Sequence, residues 1–303
     1  MVAISVLLLT KNGSRDLECV LPALYNQRDI PQLEVIAVDS GSTDDTVSLL
    51  HRYPLRLKQI ASHEFHHART RNMAATMATG EFIVLLSQDA VPTCDLWLNK
   101  LLANFSDPKV GAVYGRQLPK PDSVYERCDT LDTIYGAKKV VKDPAHRNGL
   151  GYRFYHFSDA NAAIRRSVWQ ATQFPEDLKV FEDLGIAKRM LDGGWKIVYE
   201  PEAAVIHSHN HSTIGLFKRY FDIGYTLKQL RIWDAPGTRE SLTRDAWKLI
   251  GKKLKRSGTG GSNLCNAGFY QDIAKSFGLL LGLNQAVLPL ALKRHFSAFG
   301  VFG

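Results

Sequence analysis

The sequence predicts an α/β protein built on a mostly parallel sheet with helices on both faces. Short apolar runs rich in β-branched residues alternate with stretches of helical periodicity, the pattern of successive βαβ units. Those runs are apolar at consecutive positions rather than at every second one, as strands covered on both faces must be. The composition agrees, since 303 residues with 45% hydrophobic and 22% charged content describe a globular chain able to bury a large core.

Taken in order, Val2–Leu9 (VAISVLLL) is the first strand. No basic stretch precedes it and no small-residue cleavage site follows it, and it is too short to span a bilayer. Leu17, Val20, Leu21 and Leu24 recur at helical spacing between Asp16 and Tyr25. Leu33–Val38 is the second strand, and Ser42 or Thr43 caps a helix with acids in its first turn. Leu55–Ile60 and Phe82–Ser87 follow as strands, with Gly80 closing the helix between them, and Val110–Tyr114 is the fifth. After Pro119 the pattern loosens. It resumes with a helix over Glu182–Asp192, ended by Gly193 and Gly194, and with strands at Lys196–Glu200 and Ala203–His207.

Residues 236–303 read as a helical appendage. A basic helix is expected over Asp245–Arg256, with Trp247, Ile250 and Leu254 on one face, and it reads first as a solvated helix packed on the body, then as a membrane-surface helix. A glycine–serine loop follows. The apolar run Phe277–Leu292 is interrupted by Asn284, Gln285 and Pro289, which suits packing on the body or on a membrane surface rather than spanning. The expected units are 1–235, divided into halves 1–118 and 119–235, and 236–303.

The net charge of +8 calls for an anionic partner, whether nucleic acid, an acidic membrane surface or a phosphorylated substrate. Cys19, Cys94, Cys128 and Cys265 lie far apart without a CxxC pair, so no disulfide framework or zinc knuckle is expected and a reducing cytoplasm fits. Neither GxGxxG after a strand nor GxxxxGK[ST] occurs, which disfavours a dinucleotide enzyme or a P-loop NTPase. In an open parallel sheet, ligands bind beyond the carboxyl ends of the strands. Here those ends carry Thr10-Lys11-Asn12, Asp39-Ser40-Gly41-Ser42 and Ser87-Gln88-Asp89, which should meet in one cleft. For Ser42 and Asp44 alone, helix capping is the first reading.

At this point the residues carry a resemblance. ISVLLLTKNG (Ile4–Gly13), LEVIAVDSGSTDDT (Leu33–Thr46), RTRNMAATMATGEFIVLLSQDAVP (Arg69–Pro92) and FEDLGIAKRML (Phe181–Leu191) together resemble the inverting family 2 glycosyltransferases of GT-A fold, from Ile4 to His211. FHHARTRN (Phe65–Asn72), SQDA (Ser87–Ala90) and GRQLP (Gly115–Pro119) are similar to segments of bacterial rhamnosyltransferases in that family. Ala68 stands where those enzymes have glycine, and Ser87 where the Asp-x-Asp motif has its first acid.

The resemblance implies a Rossmann-like GT-A sheet and a nucleotide pocket formed by Thr10, Asn12, Asp39 and Gln88, with Arg71 near the diphosphate. In it Asp39 accepts from a ring N–H, which selects uracil or thymine over cytosine. It also implies a divalent cation, Mg²⁺ or Mn²⁺, on Asp89 and on a histidine of HSHNH: His207 first, His209 as the alternative, with His211 read as structural. Asp183 becomes the base beside Glu182, unless both acids only favour the N-terminus of their helix. Asp159 and Asn161 would touch the sugar or acceptor, and Trp169 reads as core. The implied reaction moves a sugar, L-rhamnose from dTDP-L-rhamnose or another sugar from a UDP donor, onto a cell-surface polysaccharide or a lipid-linked saccharide. Peripheral contact with the inner face of the plasma membrane is expected, and no nucleic acid. Two other classes stand beside this. A sugar nucleotidyltransferase needs a glycine- and basic-rich loop after the first strand, of which TKNGSRD is a thin version. A non-catalytic membrane- or polyanion-binding subunit is suggested by Ser87 and the basic tail.

Overall fold

The computed structural model describes residues 4–302, apart from 31, 122, 124–134, 148–149 and 242–262. The basic stretch 245–256 and the glycine–serine loop after it lie outside the described residues. Strand β1 (Ile4–Thr10), helix α1 (Ser14–Tyr25), β2 (Leu33–Asp39), α2 (Thr46–Leu50), β3 (Arg56–Gln59), α3 (His67–Met77) and β4 (Phe82–Ser87) build the first half. β1 pairs in parallel with β2 on one side and with β4 on the other, and β2 pairs with β3. The chain therefore leaves β1 toward one edge and returns across it, and a crevice opens between the carboxyl ends of β1 and β4.

Both faces of these strands are covered, which is why their sequence does not alternate. Ile4, Val6 and Leu8 pack with Leu17, Val20, Leu21 and Leu24 of α1. Leu7 points the other way, into a cluster with Ala68, Ala74 and Ala75 of α3. Each such leucine, fully withdrawn from water, contributes about 1.5–3 kcal/mol.

Beyond β4 come β5 (Val91–Pro92), α4 (Trp97–Leu102), β6 (Val110–Leu118), β7 (Val140–Lys142), β8 (Asn161–Arg165), α5 (Arg166–Thr172), α6 (Glu182–Asp192) and β9 (Lys196–Ile206). The sheet runs β3-β2-β1-β4-β8-β6-β9-β5, with β7 pairing β9. It is parallel from β3 to β4 and mixed beyond, because β8 runs antiparallel to both β4 and β6 while β6 and β9 are parallel. The sequence reading lacks β5, β7 and β8. The first two are too short to show a period, and β8 reads Asn-Ala-Ala-Ile-Arg, poor in bulky apolar residues. Conversely, the two strands expected at 196–200 and 203–207 are one, β9, whose register against β6 shifts where Pro201 cannot donate to the ladder.

The chain ends in α7 (Thr213–Gln229), α8 (Asn263–Leu283) and α9 (Leu290–Phe296). α7 and α8 meet backbone to backbone. A Cβ at Gly278 would lie 2.2 Å from the Phe217 carbonyl oxygen and one at Gly282 2.0 Å from that of Phe221, so only glycine allows this approach. Among the described residues no helix is long and apolar enough to cross a membrane.

Candidate active site

A cavity of about 720 Å³ opens at the carboxyl edge of the sheet, walled by the ends of β1, β4 and β9, the first turns of α3 and α6, and the inner sides of α7 and α8. Its volume lies within the range of small-molecule sites.

One end holds an acid and two histidines. β4 stops at Ser87, the chain turns with the Ala90 N–H donating to the Ser87 carbonyl, and β5 pairs antiparallel with Val205 and Ile206 at the end of β9. Pro92 is tolerated because β5 is a two-residue edge strand. This pairing is what sets Asp89 beside the residues that follow β9: Oδ1 lies 3.3 Å from His207 Nε2 and Oδ2 lies 3.8 Å from His209 Nδ1. One ligand atom from each of the three lies within 4.8 Å of the others. His207 donates from Nδ1 to Gln117 Oε1 (3.0 Å), since Gln117 directs its amide nitrogen to Tyr135 and Ser158. With Nδ1 engaged by Gln117, Nε2 faces Asp89, the arrangement that orients a ligating imidazole. Burial opposes ionisation of Asp89, but the bond from His207 and the charges of His207, His209 and Lys120 outweigh it and hold the carboxyl at about 2. Burial and His207 lower His209 to about 4. A carboxylate and two imidazoles within reach of one point are a donor set for a divalent cation.

The other end holds a buried acid cluster around one guanidinium. Arg71 Nη1 donates to Glu182 Oε1 at 2.6 Å, while its Nε lies 2.6 Å from Asp159 Oδ2 in an ion pair not aligned as a hydrogen bond. Asp183 lines the same wall without such a partner among the described residues, and its Oδ1 accepts from the Leu184 N–H. Phe181, in the left-handed region at φ 59°, turns the chain into α6 and presents both acids to the cavity. A non-glycine residue there is strained, a cost that recurs at functional sites. Burial pushes Asp159 up to about 6 against the pull of Arg71. Burial also raises Asp183 well above the usual carboxylate range, with Asp159 and Glu182 adding to it. His67 closes this end, 3.7 Å from Glu182, and burial together with Arg71 lowers it to about 4.

Four expected contact residues have protein partners in the structure. Arg71 lines the cavity and is engaged by Asp159 and Glu182, so it holds the acid cluster. Asp39 is 1% exposed and does not line the cavity. Its oxygens accept from Thr10 Oγ1, from the Gly41 and Ser42 N–H groups and from Ser42 Oγ, so it shapes the 39–42 loop. Asn12 takes φ 47° and its Oδ1 accepts from the Thr43 N–H, so it ties two loops together behind the cavity. Asn161 is fully buried, accepting from Trp97 Nε1 and donating to the Ala203 carbonyl, which removes it from any sugar. Thr10, Gln88, Asp159, Glu182, Asp183, Asp89, His207 and His209 do line the cavity. Gln88 also spans the crevice by accepting from the Lys11 N–H and donating to its carbonyl (2.9 and 3.1 Å). His67, Gln117, Arg219 and Lys275 were missed as cavity or supporting residues. Two of them lay in segments the sequence had singled out: His67 in FHHARTRN, and Gln117 in GRQLP, where Gly115 is also required because a Cβ would lie 1.9 Å from the Ala203 carbonyl oxygen.

This architecture is that of the GT-A glycosyltransferases. The mannosyltransferase PcManGT from Pyrobaculum calidifontis, solved with GDP-Man and Mn²⁺, matches with TM-score 0.60 and 21% identity, covering 91% of this chain and 86% of that one. S. aureus TarS 1–349, solved with UDP-GlcNAc, matches with TM-score 0.56 and 18% identity over 73% of this chain and 65% of its own. Within that class the chain belongs to glycosyltransferase family 2, whose family model matches residues 5–171. The O-antigen chain rhamnosyltransferase WbaN of Salmonella anatum is 34% identical over 91% of this chain and 88% of its own length. RfbN of Salmonella typhimurium, also an O-antigen chain rhamnosyltransferase, is 33% identical over 98% of this chain and 94% of its own.

Proposed function

We propose that the chain is an inverting, metal-assisted glycosyltransferase that moves L-rhamnose from dTDP-L-rhamnose to a lipid-linked saccharide of a cell-surface polysaccharide. One observation carries the mechanism: Asp183, with a raised pKa and no cationic partner of its own, faces the same cavity as the Asp89–His207–His209 group. The sugar is supported by the two rhamnosyltransferases similar over nearly the whole chain.

In this reading Asp183 accepts the proton of the attacking acceptor hydroxyl as that oxygen approaches the anomeric carbon from the face opposite the diphosphate. A carboxylate with a raised pKa is a stronger base than one in water. Arg71 and Glu182 fix the first turn of α6 and so the position of Asp183. Asp89, His207 and His209 hold the cation, whose positive charge serves the leaving diphosphate. Two imidazoles beside one carboxylate favour Mn²⁺ over Mg²⁺, which prefers oxygen and water. Residues 1–118 hold the donor and 119–235 the base and acceptor, while Lys275, Leu279 and Phe299 help close the cavity. The exposed Val287, Leu290 and Leu292 beside Lys293, Arg294 and His295 support contact with an anionic membrane, where a lipid-linked acceptor resides. Binding to phosphatidylglycerol vesicles but not to phosphatidylcholine ones checks that contact.

The experiment is a panel of sugar nucleotides with Mn²⁺ and a lipid-pyrophosphoryl saccharide, with the anomeric configuration of the product read by NMR. Rhamnose transferred with inversion from the dTDP donor is expected. Retention of configuration, or a preference for another sugar, contradicts the reading.

A further inference from the structure

Arg219 projects from α7 into the cavity, and no carboxylate pairs with it among the described residues. Its guanidinium lies against a pair of packed rings, 5.4 Å from the centre of Phe181 and 5.8 Å from that of Phe299. The acid one turn along, Asp222, is within the field of Arg219 but makes no ion pair with it, and its Oδ2 accepts from the Ala298 and Phe299 N–H groups. Lys275 of α8 lines the same wall, 3.8 Å from Asp272 and with its ammonium 5.7 Å from the centre of the Tyr220 ring. The glycine contacts between α7 and α8 fix the register that places Arg219 and Lys275 on one wall. Arg219 also disfavours protonation of His67, His209 and His211, so its field reaches both ends of the cavity.

A guanidinium set against two rings in a partly desolvated cavity keeps its orientation without a direct carboxylate contact among the described residues, and an anionic ligand would supply that contact. Its planar fork matches two phosphoryl oxygens, and a neighbouring ammonium adds a point charge. We propose that Arg219, with Lys275 beside it, forms a diphosphate subsite on the wall contributed by the C-terminal helices, separate from the Asp89–His207–His209 group. The subsite rests on the transferase reading only for its source, which is either the leaving nucleoside diphosphate of the donor or the pyrophosphate linking an acceptor saccharide to lipid.

The test uses the full chain in three forms: wild type, Arg219→Met, which keeps an apolar stem against the rings, and Arg219→Lys, which keeps the charge without the fork. Calorimetry with inorganic pyrophosphate in EDTA, where a metal-held contribution is absent, should show binding weakened about tenfold to a hundredfold in Arg219→Met and less in Arg219→Lys. A parallel loss for dTDP and UDP assigns the subsite to the donor. A rise in KM confined to a pyrophosphoryl acceptor, with a phosphate-free saccharide unaffected, assigns it to the acceptor. Pyrophosphate binding equal to wild type in Arg219→Met and Arg219→Lys, at unchanged melting temperature, overturns the proposal. Because pyrophosphate binding needs no turnover, that outcome is distinct from a failure of sugar transfer.

Discussion

Asp159→Asn removes one of the two acids that crowd Asp183 while leaving a side chain of the same shape. Burial is the main reason Asp183 is raised, and the Asp159 and Glu182 charges come next, opposed by Arg71. A charge within about 4–6 Å of a carboxyl moves its pKa by about 1–3 units, and a neighbour partly neutralised by Arg71 should act at the lower end. If ionised Asp183 is the base, the acid limb of the kcat profile reports its pKa in the ternary complex. In Asp159→Asn that limb should therefore move down by about one pH unit. Arg71→Gln removes the one cation that lowers Asp183, so its acid limb should move up by a similar amount. The assay is nucleoside diphosphate release at saturating donor and acceptor from pH 4 to 9. Loss of packing alone reduces kcat in both variants without shifting their limbs in opposite directions. Limbs that stay fixed, or move the same way, refute the electrostatic account of the base.

Gln117→Leu should free the His207 ring and weaken Mn²⁺ binding, measured in the presence of nucleoside diphosphate, by about 10–100-fold, the usual loss when an orienting partner is removed. Unchanged affinity would separate Gln117 from the metal site. Gly282→Val should force α8 away from α7, because a Cβ there meets the Phe221 carbonyl oxygen at 2.0 Å; a loss of about 1–3 kcal/mol in denaturant unfolding is expected. Asp39→Ala should release the 39–42 loop and weaken nucleoside diphosphate binding through disorder of the pocket edge. The check is that this loss appears alike for UDP and CDP, whereas a direct bond to a ring N–H would spare CDP.

The β1–β4 half was legible because its strands are long, buried on both faces and separated by capped helices, so Ile4–Leu9 and Phe82–Ser87 show in the pattern itself. The second half was less so. β8 carries two alanines, and β9 is one strand interrupted at Pro201, where local pattern reads a break that pairing with β6 bridges. In the site, the acids and histidines that form the cavity were visible because they cluster at strand ends. Which of them face the ligand was not, since that depends on partners distant in sequence: Asp39 is enclosed by Thr10 and Ser42, Asn161 by Trp97 and Ala203, and Arg71 by Asp159 and Glu182. Arg219 carried no motif signal. Its significance comes from its place on the cavity wall with no carboxylate in ion-pair contact among the described residues, which only packing reveals.

The most direct test of the account compares wild type with Asp183→Asn in two measurements on the same protein: donor binding with Mn²⁺ by calorimetry, and acceptor-dependent release of nucleoside diphosphate. The account predicts donor affinity within about twofold of wild type and turnover lower by roughly two to four powers of ten, the range for loss of a general base. Turnover near that of wild type would contradict it by removing Asp183 from the chemistry.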